Sequence, residues 1–376
     1  MNSIAKISRE GASLFPACPP ATNEIWTGAA SKLRVVTVAD EAPNVKTFVF
    51  QPEHPALFKY TAGQFLTLEL SVPGGLLLRT YTIASSPSRP MTLSLTVKAQ
   101  VDSVGTRWMF ENLLPGSLVK AIGPAGNFTL ERCQRPKLLF LSAGSGITPM
   151  MSMLRWLSDV ATDADVAFVH CARSPEEIIF REELASASRI LPGLVLGLVV
   201  GRGASDWEGL TGRLDIAKLE SLVPDYLERE IFCCGPEAFM ENAEAMVAQR
   251  GFAMAHFHQE AFTFASHGNV TLPTKKREPE FPKPEGSADS SHRLCFRSSG
   301  VEDVVRADET VLNVAHRNGV SIPSVCGMGL CGTCRVKKIS GHVEMEHNGG
   351  ITEDEIEDGY ILACCSKPLS NIEIEE

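Results

Sequence analysis

Runs of alternating apolar and polar residues fill the first third of the chain. Between residues 31 and 132, short stretches rich in β-branched residues are separated by turns that contain glycine and proline, such as Pro73-Gly74-Gly75. A period of two is typical of strands that bury one face, so this segment predicts an antiparallel barrel or sandwich. The predicted strands are Leu33–Val38, Thr47–Phe50, Phe65–Leu70, Arg79–Ile83 and Thr92–Val97.

Continuous apolar runs replace this alternation between residues 133 and 265. Several runs precede stretches with apolar residues at helical spacing, such as Met153, Leu154 and Leu157. Strands that alternate with helices predict a doubly wound parallel sheet. The predicted strands are Lys137–Ser142, Asp165–His170, Leu194–Val200 and Glu230–Cys234, and the predicted helices are Met150–Val160, Pro175–Leu184 and Glu237–Gln249.

Composition divides the rest of the chain. A stretch rich in proline and charged residues, with few apolar ones, predicts a semi-extended linker. A compact unit follows it and contains the cysteine-rich region. The predicted organisation is an N-terminal extension (1–30), the barrel (31–132), the parallel α/β unit (133–265), the linker (266–291) and a C-terminal unit (292–376).

Bulk composition narrows the class of protein. A chain of 376 residues with 44% hydrophobic and 21% charged residues is typical of a soluble protein of two or three domains. No run approaches the roughly 20 apolar residues of a membrane span, and the first residues lack the basic-then-apolar order of a secretory signal. We therefore expect a cytoplasmic protein without a membrane partner. The net charge of −10 argues against nucleic acid binding.

Four cysteines near the C-terminus carry the strongest chemical signal. Cys326, Cys331 and Cys334 form a C-x4-C-x2-C run, and Cys364 follows at a distance. Structural zinc usually takes two paired knuckles, whereas three clustered cysteines and a distant fourth are the plant-type spacing of a [2Fe–2S] cluster. The sequence therefore predicts a one-electron centre with these four thiolates as metal ligands, and structural zinc is the alternative.

Two features around the cysteines leave choices open. Only one of Cys364 and Cys365 can point at a cluster from an extended segment, and the ligand position after a Leu-Ala pair in ferredoxin-like domains favours Cys364. Residues 341–376 hold ten Asp or Glu and one Lys. This acidic stretch is either a solvated face or a docking surface for a basic redox partner.

Two turns at the ends of predicted strands indicate a nucleotide site. In Gly144-Ser-Gly-Ile-Thr-Pro149, the glycines allow close approach of the backbone, and the N-terminus of the following helix attracts anions. Cys234-Gly235-Pro236 ends another apolar strand, at the edge where α/β sheets bind ligands. Either turn alone also occurs in ordinary strand-to-helix connections, but together they favour nucleotide binding.

These turns and Arg79-Thr-Tyr-Thr82 resemble the R-x-Y-[ST], G-x-G-x-T-P and C-G-P motifs of the ferredoxin–NADP⁺ reductase superfamily. The order of flavin, nicotinamide and iron–sulfur motifs resembles reductase components of Rieske-type oxygenases and the NADH oxidoreductase of the hybrid cluster protein. Residues 326–334, 343–352 and 359–366 are most similar to the reductase subunit of glycine betaine monooxygenase, with stachydrine and carnitine systems as alternatives. The resemblance implies a flavin-binding antiparallel β-barrel, a doubly wound parallel α/β nicotinamide domain and a β-grasp ferredoxin domain.

The resemblance also implies roles in the barrel. It favours FAD over FMN, with Arg79 on a flavin phosphate, Tyr81 stacked on the isoalloxazine ring and Thr82 near the flavin N5. Gly105 and Thr106 would bind the flavin pyrophosphate through backbone N–H groups. The alternative for this second turn is an ordinary helix N-cap.

Further roles follow for the nicotinamide unit. Cys234 would lie beside the nicotinamide C4, and Glu260 and Phe262 would lie near the flavin edge. The predicted catalytic residues are Cys234, Thr82 and Glu260. The residues that would cradle the nicotinamide nucleotide are Gly144, Gly146, Thr148, Pro149, Gly235 and Pro236.

The electron donor and acceptor complete the prediction. The segment around Arg173 resembles NADH-using members, because no second basic residue follows at once to clamp a 2′-phosphate. The chain is therefore predicted to be an NADH-dependent reductase that passes electrons through FAD and a [2Fe–2S] cluster to a Rieske-type oxygenase subunit demethylating glycine betaine. A reductase of a hybrid cluster protein is the alternative within enzymes. A non-catalytic electron carrier or zinc-binding interaction protein is the alternative in a different class.

Overall fold

The structure, a computed structural model, contains three groups of strands in chain order. It describes residues 24–26, 28–100, 103–161, 163–203, 207–261, 292–306, 309–324, 329, 332, 334–347, 350–351 and 353–376. Of the predicted site residues, Phe262, Cys326 and Cys331 lie outside the described residues, as does the predicted linker.

An antiparallel barrel forms the first group. Its elements are β1 (Gly28–Ala42), β2 (Val45–Pro52), β3 (Phe65–Val72), β4 (Gly75–Thr82), β5 (Leu93–Lys98), α1 (Val104–Asn112) and β6 (Leu118–Ala125). The strand order is β4-β3-β6-β1-β2-β5, with every neighbouring pair antiparallel. An isolated bridge between Ile83 and Leu95 joins the two ends of the sheet. Alternate residues such as Leu66, Leu68 and Leu70 point inward and are fully buried, as a period of two requires.

A parallel sheet forms the second group. Its elements are β7 (Lys137–Ala143), α2 (Ile147–Val160), β8 (Asp165–Ala172), α3 (Arg181–Ile190), β9 (Leu194–Val200), β10 (Leu210–Thr211), α4 (Ile216–Leu222), β11 (Glu230–Gly235), α5 (Glu237–Ala248) and β12 (Phe257–Ala261). The order is β10-β9-β8-β7-β11-β12, and all neighbours are parallel. Helices α2 and α3 cover one face, and α4 and α5 cover the other. This arrangement confirms the predicted doubly wound sheet.

The strand order creates a switch point between β7 and β11. From β7 the chain moves to β8 and onward to β10, and then it crosses back to β11 on the other side of β7. Connections that leave neighbouring strands in opposite directions open a crevice at the carboxyl edge, where such sheets bind ligands. The turn at Gly144 and the turn at Gly235 are the two that border this crevice.

One predicted helix is displaced. The prediction of a helix over Pro175–Leu184 is wrong, because the structure has a 3₁₀ turn at Pro175–Glu177 and begins α3 at Arg181. Phe180 separates them with a φ of 58°, in the left-handed region that is uncommon for residues other than glycine. Its buried ring packs into the core beneath α2, so tertiary packing rather than local propensity sets the start of this helix.

A buried carboxylate fastens the outermost strand, β12, to β11. Glu230 accepts hydrogen bonds from His258 Nε2 at 2.5 Å and His256 Nδ1 at 3.1 Å, and from the backbone N–H of Gln134 at 3.3 Å. Although burial opposes ionisation, these partners hold the pKa of Glu230 below its usual value. The cluster fixes the amino end of β12, and therefore the register that places Glu260 at its carboxyl end.

The C-terminal unit is a mixed sheet with a short helix against it. Its elements are β13 (His292–Phe296), β14 (Val301–Val305), α6 (Val311–Arg317), β15 (Arg335–Ser340), β16 (Val343–Met345), α7 (Glu353–Glu357), β17 (Tyr360–Leu362), β18 (Ser366–Pro368) and β19 (Ile372–Glu375). The main sheet has the order β14-β13-β19-β15-β17, in which β13 and β19 are parallel. Helix α6 packs its buried residues against this sheet.

None of the helices in the described ranges has the length and apolar character needed to cross a membrane.

Candidate flavin, nicotinamide and cluster sites

Strand β4 presents the predicted flavin residues beside the start of α1. A Cβ on Gly105 would lie 3.3 Å from Arg79 Cγ and 3.1 Å from Leu77 Cδ2, so glycine lets the arginine pack closely against the start of α1. The Arg79 guanidinium donates to the carbonyl of its neighbour Leu78 at 2.8 Å, and it forms no ion pair with any carboxylate among the described residues. A half-buried cation at a helix N-terminus is an environment that fits a phosphate.

Tyr81 and Thr82 complete this strand. The hydroxyl of Tyr81 is buried and has no hydrogen-bond partner within the described chain, and burial raises the pKa of Tyr81. Leaving a buried hydroxyl unpaired costs about 1–3 kcal/mol, which a polar ligand on this face would relieve. Thr82 is 5% exposed and pairs with Phe65 across the ladder. The orphaned hydroxyl fits a flavin bound against β4.

The second predicted flavin turn, at Gly105 and Thr106, begins with a capped helix. Ser103 caps α1 by accepting from the backbone N–H of Thr106 at 3.3 Å, and Thr106 Oγ1 accepts from the backbone N–H of Gln100 at 3.2 Å. These two hydrogen bonds fix Thr106 in the first turn of α1. Gly105, directly before it, lies against Arg79, so the assignment of both residues to the flavin pyrophosphate stays a prediction.

The two predicted nicotinamide turns meet at the switch point. A Cβ on Gly146 would lie 2.3 Å from the carbonyl oxygen of Cys234 and 2.6 Å from the backbone nitrogen of Gly235. Gly144 has a φ of 54° and nothing within 4 Å of its Cβ position, so the outer side of the turn is open. Helix α2 starts here without a side-chain cap, which leaves backbone N–H groups for an anionic ligand.

Thr148 and Pro149 form the first turn of α2. Thr148 is 3% exposed and donates from Oγ1 to the carbonyl of Ser145 at 3.1 Å. Pro149 is also buried, and its lack of an N–H costs nothing in the first turn of a helix. These residues shape the nucleotide turn rather than present free polar groups to it, while Gly235 ends β11 and Pro236 is the N-cap residue of α5 on the other side of the crevice.

Cys234 and Glu260 are neighbours on β11 and β12. They are paired in the parallel register, and Cys234 is fully buried. Glu260 is half-buried as a residue, but its Oε2 atom is buried without a partner in the described chain. Burial raises the pKa of Glu260 to about 8 and that of the Cys234 thiol well above its usual value. At neutral pH the pair is therefore a protonated acid beside a thiol, two groups able to donate hydrogen bonds.

A second polar pair, which the sequence reasoning missed, continues this row across the sheet. Ser142 lies next to Cys234 in the register, and His170 lies next to Ser142. Both are fully buried, with Ser142 Oγ 2.9 Å from His170 Nδ1. Burial lowers the pKa of His170 to about 3, so the ring is neutral, and its Nε2 has no partner among the described residues. The available signal in the sequence was that each of these two polar residues ends a predicted strand that is otherwise largely apolar.

Three exposed arginines follow the ends of neighbouring parallel strands. Arg173, Arg202 and Arg213 come one or two residues after β8, β9 and β10. The N–H of Arg202 donates to the carbonyl of Arg173 at 2.9 Å, and the N–H of Gly212, directly before Arg213, donates to the carbonyl of Val200 at 2.9 Å. From the sequence only Arg173 was a candidate for a 2′-phosphate contact, because the other two arginines lie far from it along the chain.

The C-terminal unit brings part of the predicted cluster site together. Cys334 and Cys364 are 2% and 8% exposed, and the backbone N–H of Gly329 donates to Cys364 Sγ at 3.2 Å. Gly329 has a φ of 66°, and a Cβ there would lie 2.7 Å from Cys365 Sγ. The half-buried Cys365 points instead toward the carbonyl of Leu362, 3.7 Å from its Sγ. A thiolate that receives a backbone N–H fits an iron ligand.

Barrel, parallel sheet and cysteine-bearing C-terminal unit together define an iron–sulfur flavoprotein oxidoreductase. The chain matches an oxidoreductase FAD-binding domain at residues 32–130, an oxidoreductase NAD-binding domain at residues 140–245 and a 2Fe-2S iron-sulfur cluster binding domain at residues 296–369. These matches confirm the predicted cofactor classes.

Relatives along the whole chain define the family. The stachydrine N-demethylase reductase subunit Stc4 of Rhizobium meliloti (strain 1021) is 47% identical over 93% of this chain and 97% of its own. A glycine betaine monooxygenase reductase subunit of Chromohalobacter salexigens is 43% identical over 95% of this chain and 98% of its own. The chain belongs to this family of oxygenase reductase subunits, which confirms the predicted resemblance.

A solved structure shows the same architecture. Phthalate dioxygenase reductase, described as a modular structure for electron transfer from pyridine nucleotides to [2Fe–2S], matches with a TM-score of 0.53 and 22% identity. The match covers 92% of this chain and 97% of that one. It confirms the predicted fold of an antiparallel barrel, a parallel α/β sheet and a C-terminal ferredoxin domain.

Proposed function

We propose that this protein takes electrons from NADH and delivers them singly to a Rieske-type oxygenase that demethylates a quaternary-amine betaine. The observation that carries the proposal is the contact of Gly146 with the Cys234–Gly235 peptide at the switch point. This contact joins the turn predicted to bind the nucleotide to the residue predicted to face its reactive carbon. The proposal also includes a cytoplasmic location, where NADH is produced.

The chain's own residues position the reactants. Arg79 and Gly105 would hold the flavin phosphates, Tyr81 would cover the flavin ring, and the turn before α2 would hold the nicotinamide nucleotide. When bound, the flavin exchanges a hydride for single electrons and the [2Fe–2S] cluster carries them onward. Protonated Glu260 beside the flavin edge would donate a hydrogen bond and exclude a negative charge from the site.

Cys326, Cys331, Cys334 and Cys364 are the proposed cluster ligands. The Gly329 N–H on Cys364 supports the choice of Cys364 over Cys365. Among the described residues of the acidic stretch 341–376, five carboxylates are exposed, and we include them in the proposal as a docking face for a basic surface on the oxygenase. They are Glu344, Glu346, Glu357, Asp358 and Glu375.

Glycine betaine is the proposed substrate of the partner, and stachydrine is the second candidate. The relatives' names support both, because the stachydrine relative is 47% identical and the glycine betaine relative is 43% identical to this chain. NADPH is the second candidate donor, because Arg173, Arg202 and Arg213 follow adjacent strand ends and could meet a 2′-phosphate. Initial rates with NADH and NADPH at equal concentration decide between the donors.

Electron flow is tested with two acceptors. The purified protein is supplied with NADH and either ferricyanide or a purified betaine oxygenase with its substrate. Cys331→Ser is expected to abolish oxygenase turnover and leave ferricyanide reduction intact, because the small acceptor can take electrons before the cluster. Cys295→Ser, a change at a half-buried cysteine on β13, is the matched control and should alter neither. Equal loss of both activities in Cys331→Ser would contradict this order of flow.

A further inference from the structure

Helix α2 is bound to the barrel at the point where the chain leaves the flavin strand. We name residues 83–89, which directly follow β4, the exit segment. Ser152 Oγ donates to the carbonyl of Ser85 at 2.7 Å, and Arg155 Nη1 donates to the carbonyl of Ala84 at 2.6 Å. Ser152 is fully buried and the Arg155 side chain is 17% exposed.

The exit segment is itself fixed inside the barrel. The N–H of Ile83 donates to the carbonyl of Gln64 at 2.9 Å, and that of Ala84 donates to the carbonyl of Ser94 at 2.8 Å. Ser85 Oγ is 2.9 Å from the hydroxyl of Tyr60 and accepts from the Ser94 N–H at 2.9 Å. Because these bonds reach strands on both sides, the carbonyls offered to α2 move only if the barrel moves.

Arg155 is equally fixed on the side of the parallel sheet. Its Nε and Nη2 form a two-pronged pair with Glu183 of α3, at 2.7 and 2.5 Å. Its guanidinium lies 4.7 Å from the centre of the Phe180 ring. A planar guanidinium held along its Nε–Nη2 edge and on one face has a fixed orientation, and in this orientation Nη1 lies against the carbonyl of Ala84.

Apolar packing supports the same contact. Ala62, Ala84 and Phe128 of the barrel lie in one buried cluster with Ile147 and other residues of α2. Protein interiors transmit small displacements because they are close-packed. The position of α2 along its axis is therefore tied to the exit segment.

We propose that Ser152 and Arg155 are positioning residues that set the distance between the nicotinamide and the flavin. Thr148, Ser152 and Arg155 are spaced i, i+4, i+7 and share one face of α2. Thr148 belongs to the nucleotide turn, one helical turn from Ser152, and Thr82 lies two residues before Ala84. Because these separations are short, the hydrogen bonds of Ser152 and Arg155 with the exit segment fix the nucleotide turn, which would hold the nicotinamide, relative to the strand that would hold the flavin. This inference rests on the proposed function.

Arg155→Met and Ser152→Ala test the proposal in the full-length, FAD-loaded protein. Flavin bleaching after rapid mixing with NADH gives a limiting rate and a half-saturating concentration. Misplacement by about 1 Å can slow a reaction about 100-fold, so we expect the limiting rate of Arg155→Met to fall about 10- to 100-fold while half-saturation and FAD content stay close to those of the wild type. Arg155→Lys keeps one donor for Ala84 and should recover part of the rate.

Arg89→Met is the matched control. Arg89 also joins the exit segment to α2, through Asp159, but its side chain is 68% exposed and it binds the far end of the helix. We expect its limiting rate to equal that of the wild type. Hydrogen exchange of the peptide covering residues 83–89 gives a readout independent of turnover, and it should quicken in Arg155→Met and Ser152→Ala only.

Each outcome decides the proposal. Unchanged limiting rates in Arg155→Met and Ser152→Ala, or an equal fall in Arg89→Met, would overturn it. If Arg155→Met does not fold, Arg155→Lys and Ser152→Ala carry the same comparison. If NADH fails to bleach the wild-type flavin, the proposed function is wrong. The positioning role is then judged by hydrogen exchange alone, and exchange of residues 83–89 that is unchanged in Arg155→Met and Ser152→Ala would overturn it.

Discussion

Replacing Glu260 by glutamine should change how the stability of the protein depends on pH. Glu260 carries a carboxyl oxygen that is buried and unpaired in the described chain, and burial raises its pKa to about 8. The unfolded chain, in contrast, ionises this group near its ordinary value of 4.5. Glutamine keeps the shape of the neutral acid and cannot ionise, so the variant removes only the coupling between folding and proton binding.

The sign and size follow from the two pKa values. Below pH 4.5 the group is protonated in both states, and wild type and variant should differ least. Between pH 4.5 and about 8 the folded chain retains a proton that the unfolded chain has lost, so each pH unit lowers the free energy of unfolding by up to about 1.4 kcal/mol. The accumulated loss in the free energy of unfolding is at most about 3.5 kcal/mol at pH 7 and about 5 kcal/mol above pH 8. These are upper values because the residue retains some exposure.

Thermal unfolding of the flavin-free protein between pH 5 and pH 9 measures the effect. We expect Glu260→Gln to lie closest to the wild type at pH 5, to unfold at progressively higher temperature than the wild type as pH rises to about 8, and to keep that difference up to pH 9. Glu241→Gln, at an exposed position on α5, is the matched control and should follow the wild type throughout. A constant difference between Glu260→Gln and the wild type over this range would refute a buried, neutral Glu260.

Further predictions concern the three cofactors. Cys364→Ser should lose iron and visible cluster absorbance, whereas Cys365→Ser should retain both; the opposite result would assign the ligand to Cys365. Arg79→Ala should weaken FAD binding about 10- to 100-fold, because a hydrogen bond to a charged group contributes about 1.5–3 kcal/mol, and an unaltered flavin content would contradict its phosphate role. Arg173→Ala should lower kcat/KM for NADPH about tenfold and leave that for NADH unchanged if the strand-end arginines meet a 2′-phosphate; equal effects on both nucleotides would exclude that contact.

Local patterns were sufficient where one segment determines the structure. The alternation in Phe65–Leu70 predicted a strand of the barrel, and the glycines of the turn from Gly144 to Gly146 predicted a strand-to-helix connection. Both follow from sterics and from one-sided burial, which act over a few residues. Phe180 shows the limit of this reasoning, because its left-handed backbone follows from packing beneath α2.

Contacts between distant segments could not be predicted because they depend on strand order. Ser142 and His170 looked like the polar ends of two apolar strands until the order β8-β7-β11-β12 placed them in one row with Cys234 and Glu260. Arg202 joined Arg173 in the same way. The connections between strands decide which strands are neighbours in the sheet, and no local sequence pattern in this chain predicts that order.

Unpaired buried atoms give an independent reason to place function at these positions. Each such atom costs about 1–3 kcal/mol, so natural structures retain few without a reason. In the described residues, Tyr81, His170 and Glu260 each bury one, and each lies in or beside a strand-end motif for flavin or nicotinamide. Ser366, near the cluster cysteines, also buries a hydroxyl oxygen that is unpaired in the described chain, and Trp26, which precedes β1 and lies at none of these motifs, buries an indole N–H that is likewise unpaired there. An ordinary core would satisfy or replace these groups. A bound flavin or nicotinamide nucleotide would bring polar atoms to the strand ends where Tyr81, His170 and Glu260 lie, so these three groups are the ones that cofactor binding would satisfy.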